Sequence, residues 1–300
     1  MLVWSFTSFV TREYSGGIVV KVLFMLPKTL LLLLLFIFGV SDACADNKEL
    51  LKQVTFNEVL ALNSEGPTKT YSYGEQTSQF IQFWSTREHS DSAANVIFIH
   101  GGCWLKDYDI THTNPASNAL RNAGFNVWSI EYRRLGEEGG DWPASLNDVE
   151  AAIDFIGDKL NGRPSAIMGH SAGGHLALLA TANDTPASPN INVVIGLAAI
   201  TDMVSYTQTD GSCNRAALNL MKTAYENTSD YQKASPKTQK LHDNTWLIQG
   251  DADRIVPLSQ THNIDVETEI LDGVGHFDLI HPHSSAWKAI IKRLNNELHP

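Results

Sequence analysis

Cysteine is scarce in this chain, with three residues in 300: Cys44, Cys103 and Cys213. No spacing of histidines and acids matches a familiar ligand motif, so neither a metal site nor a cofactor is expected. Basic residues are also few, 22 Lys and Arg against 33 Asp and Glu, for a formal net charge of −11. The absence of any Lys/Arg-rich run argues against nucleic acid as a partner. The acidity itself speaks for solubility and not for a particular substrate. Long apolar runs are missing too. Leu30–Val40 has only 11 residues, short of the roughly 20 that a membrane span needs.

That short run has a different meaning. Lys28 precedes it and Ala43-Cys44-Ala45 follows it, which is the layout of a secretory signal peptide with cleavage expected after Ala45. The 29 residues before the run are unusual for a leader, and a start at Met25 makes it compact. The reading is therefore residues 1–45 as signal, 46–300 as the mature domain, and a secreted or periplasmic protein with no stable membrane span. An uncleaved N-terminal anchor is the alternative. Export would leave Cys103 and Cys213 free to pair; two buried thiols remain equally open. Asn183-Asp-Thr and Asn227-Thr-Ser are glycosylation acceptors that matter only in a eukaryotic host.

Residues 46–300 alternate between two periodicities. Asn95–Ile99 is β-branched and continuous, as a strand covered on both faces would be; Phe125–Ile130 reads as a second strand, Asn192–Ala199 as another buried one, and Thr245–Ile248 as a fourth. Gln79–Trp84 resembles a half-buried edge strand, and Glu267–Ile270 is a shorter candidate. Leu146, Val149, Ile153, Ile156 and Leu160 fall on one helical face, as do Trp287, Ile290, Ile291, Leu294 and Leu298. Strands alternating with helices predict a mostly parallel sheet flanked by helices on both faces. Residues 203–243 lack strand runs and are rich in Thr, Ser, Asn and Lys. They read as a cap-like insertion over the strands' carboxyl ends, or as a surface excursion without a role.

Gly169-His170-Ser171-Ala172-Gly173-Gly174 follows the strand-like Ser165–Met168 and opens a helix at His175–Ala180. Strand, Gly-x-Ser-x-Gly and helix together are the setting in which a serine hydroxyl stands exposed on a sharp elbow. Ser171 is therefore the candidate nucleophile. A base is expected late in the chain, and His276 in Asp272-Gly-Val-Gly-His-Phe-Asp278 lies after the last strand; His281 and His283 are its neighbouring rivals. An acid that fixes the imidazole tautomer should sit at a strand's carboxyl end between the two. Asp253 in Gly250-Asp-Ala-Asp253 fits, with Asp251 reading as a turn cap and Asp202 as a distant rival. His100-Gly101-Gly102-Cys103-Trp104 follows another strand. Backbone N–H groups of Gly101, Gly102, Cys103 and Ala172 could hold the oxyanion of a tetrahedral intermediate. Trp104 and Trp142 are candidate pocket walls, with core packing as the equal alternative. Arg133 with Asp148 or Glu131 reads as a buried structural ion pair.

The order Ser171, Asp253, His276 resembles the α/β-hydrolase superfamily over nearly all of residues 80–298. More narrowly, His100–Trp104, Glu131-Tyr-Arg-Arg134, Gly169–Gly174 and Gly250–Asp253 look like its carboxylesterase branch, which includes lipase-like esterases, feruloyl and acetyl-xylan esterase relatives and kynurenine formamidases. The resemblance implies the α/β-hydrolase fold, Ser171 as nucleophile with Asp253 and His276 as partners, and an oxyanion hole around Gly102. Cys103 departs from the lipase-like group, which usually has a third glycine there. The His-Gly-Gly-x-Trp form is closer to the formamidases. The expected function is an exported serine esterase acting on small-molecule esters. An arylformamidase, an amidase or peptidase with the same triad, and a non-catalytic binding protein on this fold are the alternatives.

Overall fold

The computed structural model describes residues 53–87, 92–183, 191–222 and 228–299. Contacts divide the chain into Met1–Glu49 and Leu50–Pro300, and every described residue belongs to the second unit. The expected leader, Ala45, Met25 and Asn227 lie outside the described residues, as do the last two residues of the Asn183 acceptor.

Helix α1 (Phe56–Leu60) starts where Thr55 and Glu58 exchange side-chain and backbone hydrogen bonds, a capping box that satisfies two orphan donors. Strands β1 (Lys69–Ser72) and β2 (Phe80–Trp84) pair antiparallel. From there the chain alternates: β3 (Asn95–Ile99), α2 (Asn114–Asn122), β4 (Asn126–Ile130), α3 (Ala144–Gly157), β5 (Ser165–His170), α4 (Ala172–Ala180) and β6 (Val193–Leu197). Three helices follow, α5 (Met203–Thr207), α6 (Ser212–Met221) and α7 (Thr228–Lys233), then β7 (Thr245–Gly250), β8 (Glu267–Leu271) and α8 (Ser285–Leu298).

The eight strands form one sheet in the order β1-β2-β4-β3-β5-β6-β7-β8. β2 runs antiparallel to β1 and β4, and every other neighbouring pair is parallel. Every residue of β3, β4, β5 and β6 is buried, which accounts for their mostly apolar character: a strand with helices on both faces has no solvent-facing side. The edges differ, with β1 and β8 mostly exposed or half-buried. Helix α4 packs on β5 and β6 and against α3.

This order locates the site. From β3 the chain crosses to β4 on one side, then returns to β5 on the other side of β3. At such a switch point the connections diverge, and a crevice opens beyond the carboxyl ends of the two strands. The turns after β3 and β5 are those of His100–Trp104 and Ser171.

Candidate active site

Ser171 lies between the last residue of β5 and the first of α4, with φ 56° and ψ −119°. A side-chain-bearing residue at positive φ stores about 1–3 kcal/mol of strain. The surroundings impose it. A Cβ on Gly169 would lie 2.1 Å from the Gly173 carbonyl oxygen, and one on Gly173 would lie 2.2 Å from that of Ile99. Both positions must be glycine for strand and helix to pass this closely. Ser171 N–H donates to the Leu197 carbonyl at 2.8 Å, fixing the elbow to β6.

His276 begins a 3₁₀ turn (His276–Ile280) after β8, and Asp253 lies in the loop after β7. Nδ1 of His276 is 2.7 Å from Oδ2 of Asp253, with both side chains almost wholly buried. The carboxylate is fixed by its neighbours. Its Oδ1 accepts the backbone N–H groups of Ile255 at 2.7 Å and Val256 at 2.9 Å, and Oδ2 accepts Nε2 of Gln249 at 3.1 Å. Burial pushes the Asp253 carboxyl up, but the charge and hydrogen bond of His276 and the two backbone donors outweigh it and hold the group below its ordinary range. An ionised, immobile carboxylate on Nδ1 leaves Nε2 as the basic nitrogen. No hydrogen bond joins Ser171 Oγ to His276 among the described residues; in such sites that contact commonly tightens only with substrate bound.

The rivals have other tasks. Asp251 accepts the Gly273 N–H at 2.6 Å, bracing the loop after β8. Asp202 caps α5 through the Ser205 N–H and pairs with Lys237. His281 Nδ1 accepts the N–H of His283, and the two rings contact each other at 5.7 Å.

Gly102, Cys103 and Trp104 have φ 109°, 54° and 56°. Three successive residues in this region turn the chain sharply, and the N–H groups of Gly102 and Cys103 meet no acceptor among the described residues. Beneath the turn, Glu131 is buried and binds three donors: His100 Nε2 at 2.8 Å, the Ile110 N–H at 2.9 Å and the Tyr132 N–H at 2.9 Å. His100 Nδ1 faces the Gly101 carbonyl at 2.7 Å. With contacts at both ring nitrogens, His100 braces the turn. Arg133 pairs with Asp148, through Nε at 2.9 Å and Nη2 at 2.7 Å, while Arg134 is the cation beside Glu131.

Cys103 and Cys213 are joined in a disulfide, their Cα atoms 5.0 Å apart. It links the turn after β3 to α6, within residues 203–243. Trp104 is fully buried and packs edge-on against His175 at 5.2 Å; Trp142 is partly buried and touches the same ring at 5.8 Å. His175 in turn bonds the Ala234 carbonyl at 2.7 Å. Phe56, Tyr108 and Phe277 escape notice in the sequence because they come from distant segments. Phe56 meets Tyr108 at 5.6 Å and Phe277 at 5.3 Å, forming an aromatic wall beside His276. Among the described residues no group of three or more His, Cys, Asp or Glu is placed to hold a metal ion, and no helix is long and apolar enough to cross a membrane.

A mostly parallel sheet flanked by helices, with a strained serine elbow after its fifth strand and an Asp–His pair across the crevice, defines an α/β-hydrolase. The BD-FAE family model matches residues 81–267, more than half of the chain, and the chain belongs to that family. Esterase LipC of Mycobacterium tuberculosis (strain ATCC 25618 / H37Rv) is 27% identical over 243 residues, covering 69% of this chain and 59% of LipC. The chain thus spans less than two thirds of that relative. Kynurenine formamidase of Meyerozyma guilliermondii is 22% identical over 209 residues, 65% of this chain and 78% of that protein. Among solved structures, esterase B from Lactobacillus Rhamnosis superposes with a TM-score of 0.67 at 17% identity, covering 80% of this chain and 89% of that one. A truncated carbohydrate esterase from gut microbiota gives 0.64 at 21%, over 79% of this chain and 100% of that one. At these identities the two structures share the fold.

Proposed function

We propose that this protein is an exported serine hydrolase that cleaves small carboxylic esters through an acyl-enzyme. The observation that carries the reading is the pairing of a strained Ser171 elbow with an Asp253–His276 hydrogen bond of 2.7 Å. Ser171 Oγ attacks the ester carbonyl carbon as its proton passes to His276 Nε2, and Asp253 stabilises the imidazolium. The carbonyl electrons move to oxygen, where N–H groups from Gly102, Cys103 and Ala172 receive the charge; each such donor is typically worth ~100–1000-fold in rate. Collapse breaks the C–O bond, and the leaving alkoxide takes the proton from His276. Water then repeats the sequence on the acyl-serine and releases the acid.

Support for ester substrates comes from the names of relatives such as LipC. Support for export comes from the leader-like Lys28–Ala45 stretch together with the Cys103–Cys213 disulfide, since disulfides persist in oxidising compartments. A formamide is the second reading, favoured by the kynurenine formamidase relatives and opposed by the leader. Residues 203–243 act as a cap in this scheme, tied to the oxyanion turn by the disulfide.

The test is a panel of acetyl, feruloyl, longer acyl, formyl-kynurenine and dipeptide substrates on residues 46–300. Short-chain aryl esters should turn over and lose all turnover in Ser171→Ala with the fold intact. Undiminished activity in that variant would overturn the reading.

A further inference from the structure

His170 precedes the nucleophile, and the catalytic scheme above leaves it without work. It is the last residue of β5 and almost wholly buried. Its Nε2 lies 3.0 Å from the backbone carbonyl oxygen of His276. A carbonyl only accepts, so Nε2 carries the hydrogen and Nδ1 is bare. Nδ1 is buried with no hydrogen-bond partner among the described residues, and a Cβ added at Gly101 would lie 3.2 Å from it. The ring faces that of His276 at 4.5 Å and that of Phe277 at 6.5 Å.

We propose that His170 is a positioning residue: it holds the main chain of the base at a fixed distance from the adjacent nucleophile. The proposal rests on the assignment of Ser171 and His276 above.

Asp253 grips His276 at one ring nitrogen. A single hydrogen bond orients the imidazole but does not fix the loop against β5, and rate depends steeply on that separation; a misplacement of about 1 Å can cost roughly 100-fold. His170 supplies the second point of attachment, from the residue next to Ser171 to the backbone of His276. The loop is held from behind by Asp278, which is buried and accepts the N–H groups of Gly275, Gln53 and Val54. Ser171 and His276 are thus tied through one peptide unit and one hydrogen bond.

The arrangement requires His170 to stay neutral while His276 takes up a proton. The titratable groups around it are the ring of His276, with Asp253 behind it, and His112 from the turn Ile110–Thr113, with His100 and Glu131 behind that. Burial, reinforced by the two neighbouring histidines, keeps His170 well below the usual imidazole range. A second proton on Nδ1 would be buried with no acceptor among the described residues.

The experiment compares His170→Phe, which keeps a ring and loses the donor, with His170→Gln, whose amide can reach the Nε2 position, and His170→Asn, whose shorter amide cannot. The readouts are the rate at which a fluorophosphonate probe labels Ser171, the separate kcat and KM for a short aryl ester, and the acid limb of kcat/KM. The expected result is labelling slowed about 10–100-fold in the Phe and Asn variants with KM within about twofold, and most of the rate restored in Gln. Should the Phe variant not fold, Gln against Asn decides: Gln close to wild type with Asn slow supports the role, and equal rates overturn it. Wild-type labelling rates and an unshifted acid limb in all the variants would overturn the inference alone. A wild-type protein inert to the probe would overturn the hydrolase assignment and this inference with it.

Discussion

Cys103 in the turn after β3 is disulfide-bonded to Cys213 in α6, 110 residues further along the chain. The cross-link fastens the turn Gly102–Trp104, with its three successive positive φ angles, to the helices between β6 and β7. Closing so long a loop removes much of the unfolded chain's freedom. Cys213→Ser should therefore cost about 2–4 kcal/mol of stability, read by urea unfolding. Dithiothreitol should bring wild type down to the variant and leave the variant where it is. Identical midpoints with and without reductant would sink the idea.

The elbow strain gives a second expectation. At φ 56°, glycine escapes the strain that any Cβ-bearing residue suffers. Ser171→Gly and Ser171→Ala should both be inactive, yet Gly should unfold at higher urea by about 1 kcal/mol. Glycine normally costs 0.5–1 kcal/mol relative to alanine inside regular structure, so the order is inverted from the usual one. Alanine equal to or above glycine would show that the elbow is not strained.

Asp253→Asn should lower kcat by about 10³–10⁴-fold, because an amide can present its NH₂ to Nδ1 and favour the wrong tautomer. The same change tests acid stability. Asp253 is held below its ordinary value in the fold, so its carboxylate stabilises the protein above the unfolded value of about 3.9. That contribution is lost as pH falls through the lower folded value. Unfolding free energies measured from pH 5 down to pH 2 should fall less in the Asn variant than in wild type.

Most of this architecture was legible in the sequence, because residue type carried the constraint. Asn95–Ile99 had to be continuous and apolar beyond its first residue because both faces of β3 are covered, and the strand has those bounds. Gly169 and Gly173 had to lack a Cβ, so the elbow left a mark in the sequence. Residues 203–243 were readable only as strandless. Their helices are 5, 10 and 6 residues long, too short for a clear period, and α6 closes on a left-handed Lys222. The Cys103–Cys213 pairing depends on the approach of two segments, which spacing does not encode. Neither does the contact of His170 with a carbonyl 106 residues away, nor the aromatic wall of Phe56, Tyr108 and Phe277. Such pairings lie in the tertiary fold, and no local pattern announces them.

Two buried histidines away from the Asp253–His276 pair contribute to the loss of stability in mild acid. Burial depresses His175 to about 4. Burial and the nearby His100 do the same for His112, also to about 4. In the unfolded chain each takes up its proton near pH 6.5. Between these values the unfolded state binds more protons than the folded one, so stability rises with pH through that window. It is complete above about 6.5 and declines as pH falls towards 4, by up to about 1.4 kcal/mol per pH unit for each histidine. His175→Gln keeps a donor for the Ala234 carbonyl and removes the titration. Against wild type, its stability measured by urea at several values from pH 7.5 to pH 4.5 should fall with a slope shallower by about that amount per unit. Curves that run parallel across the window would mean that His175 is not kept neutral by its burial between Trp104 and Ala234.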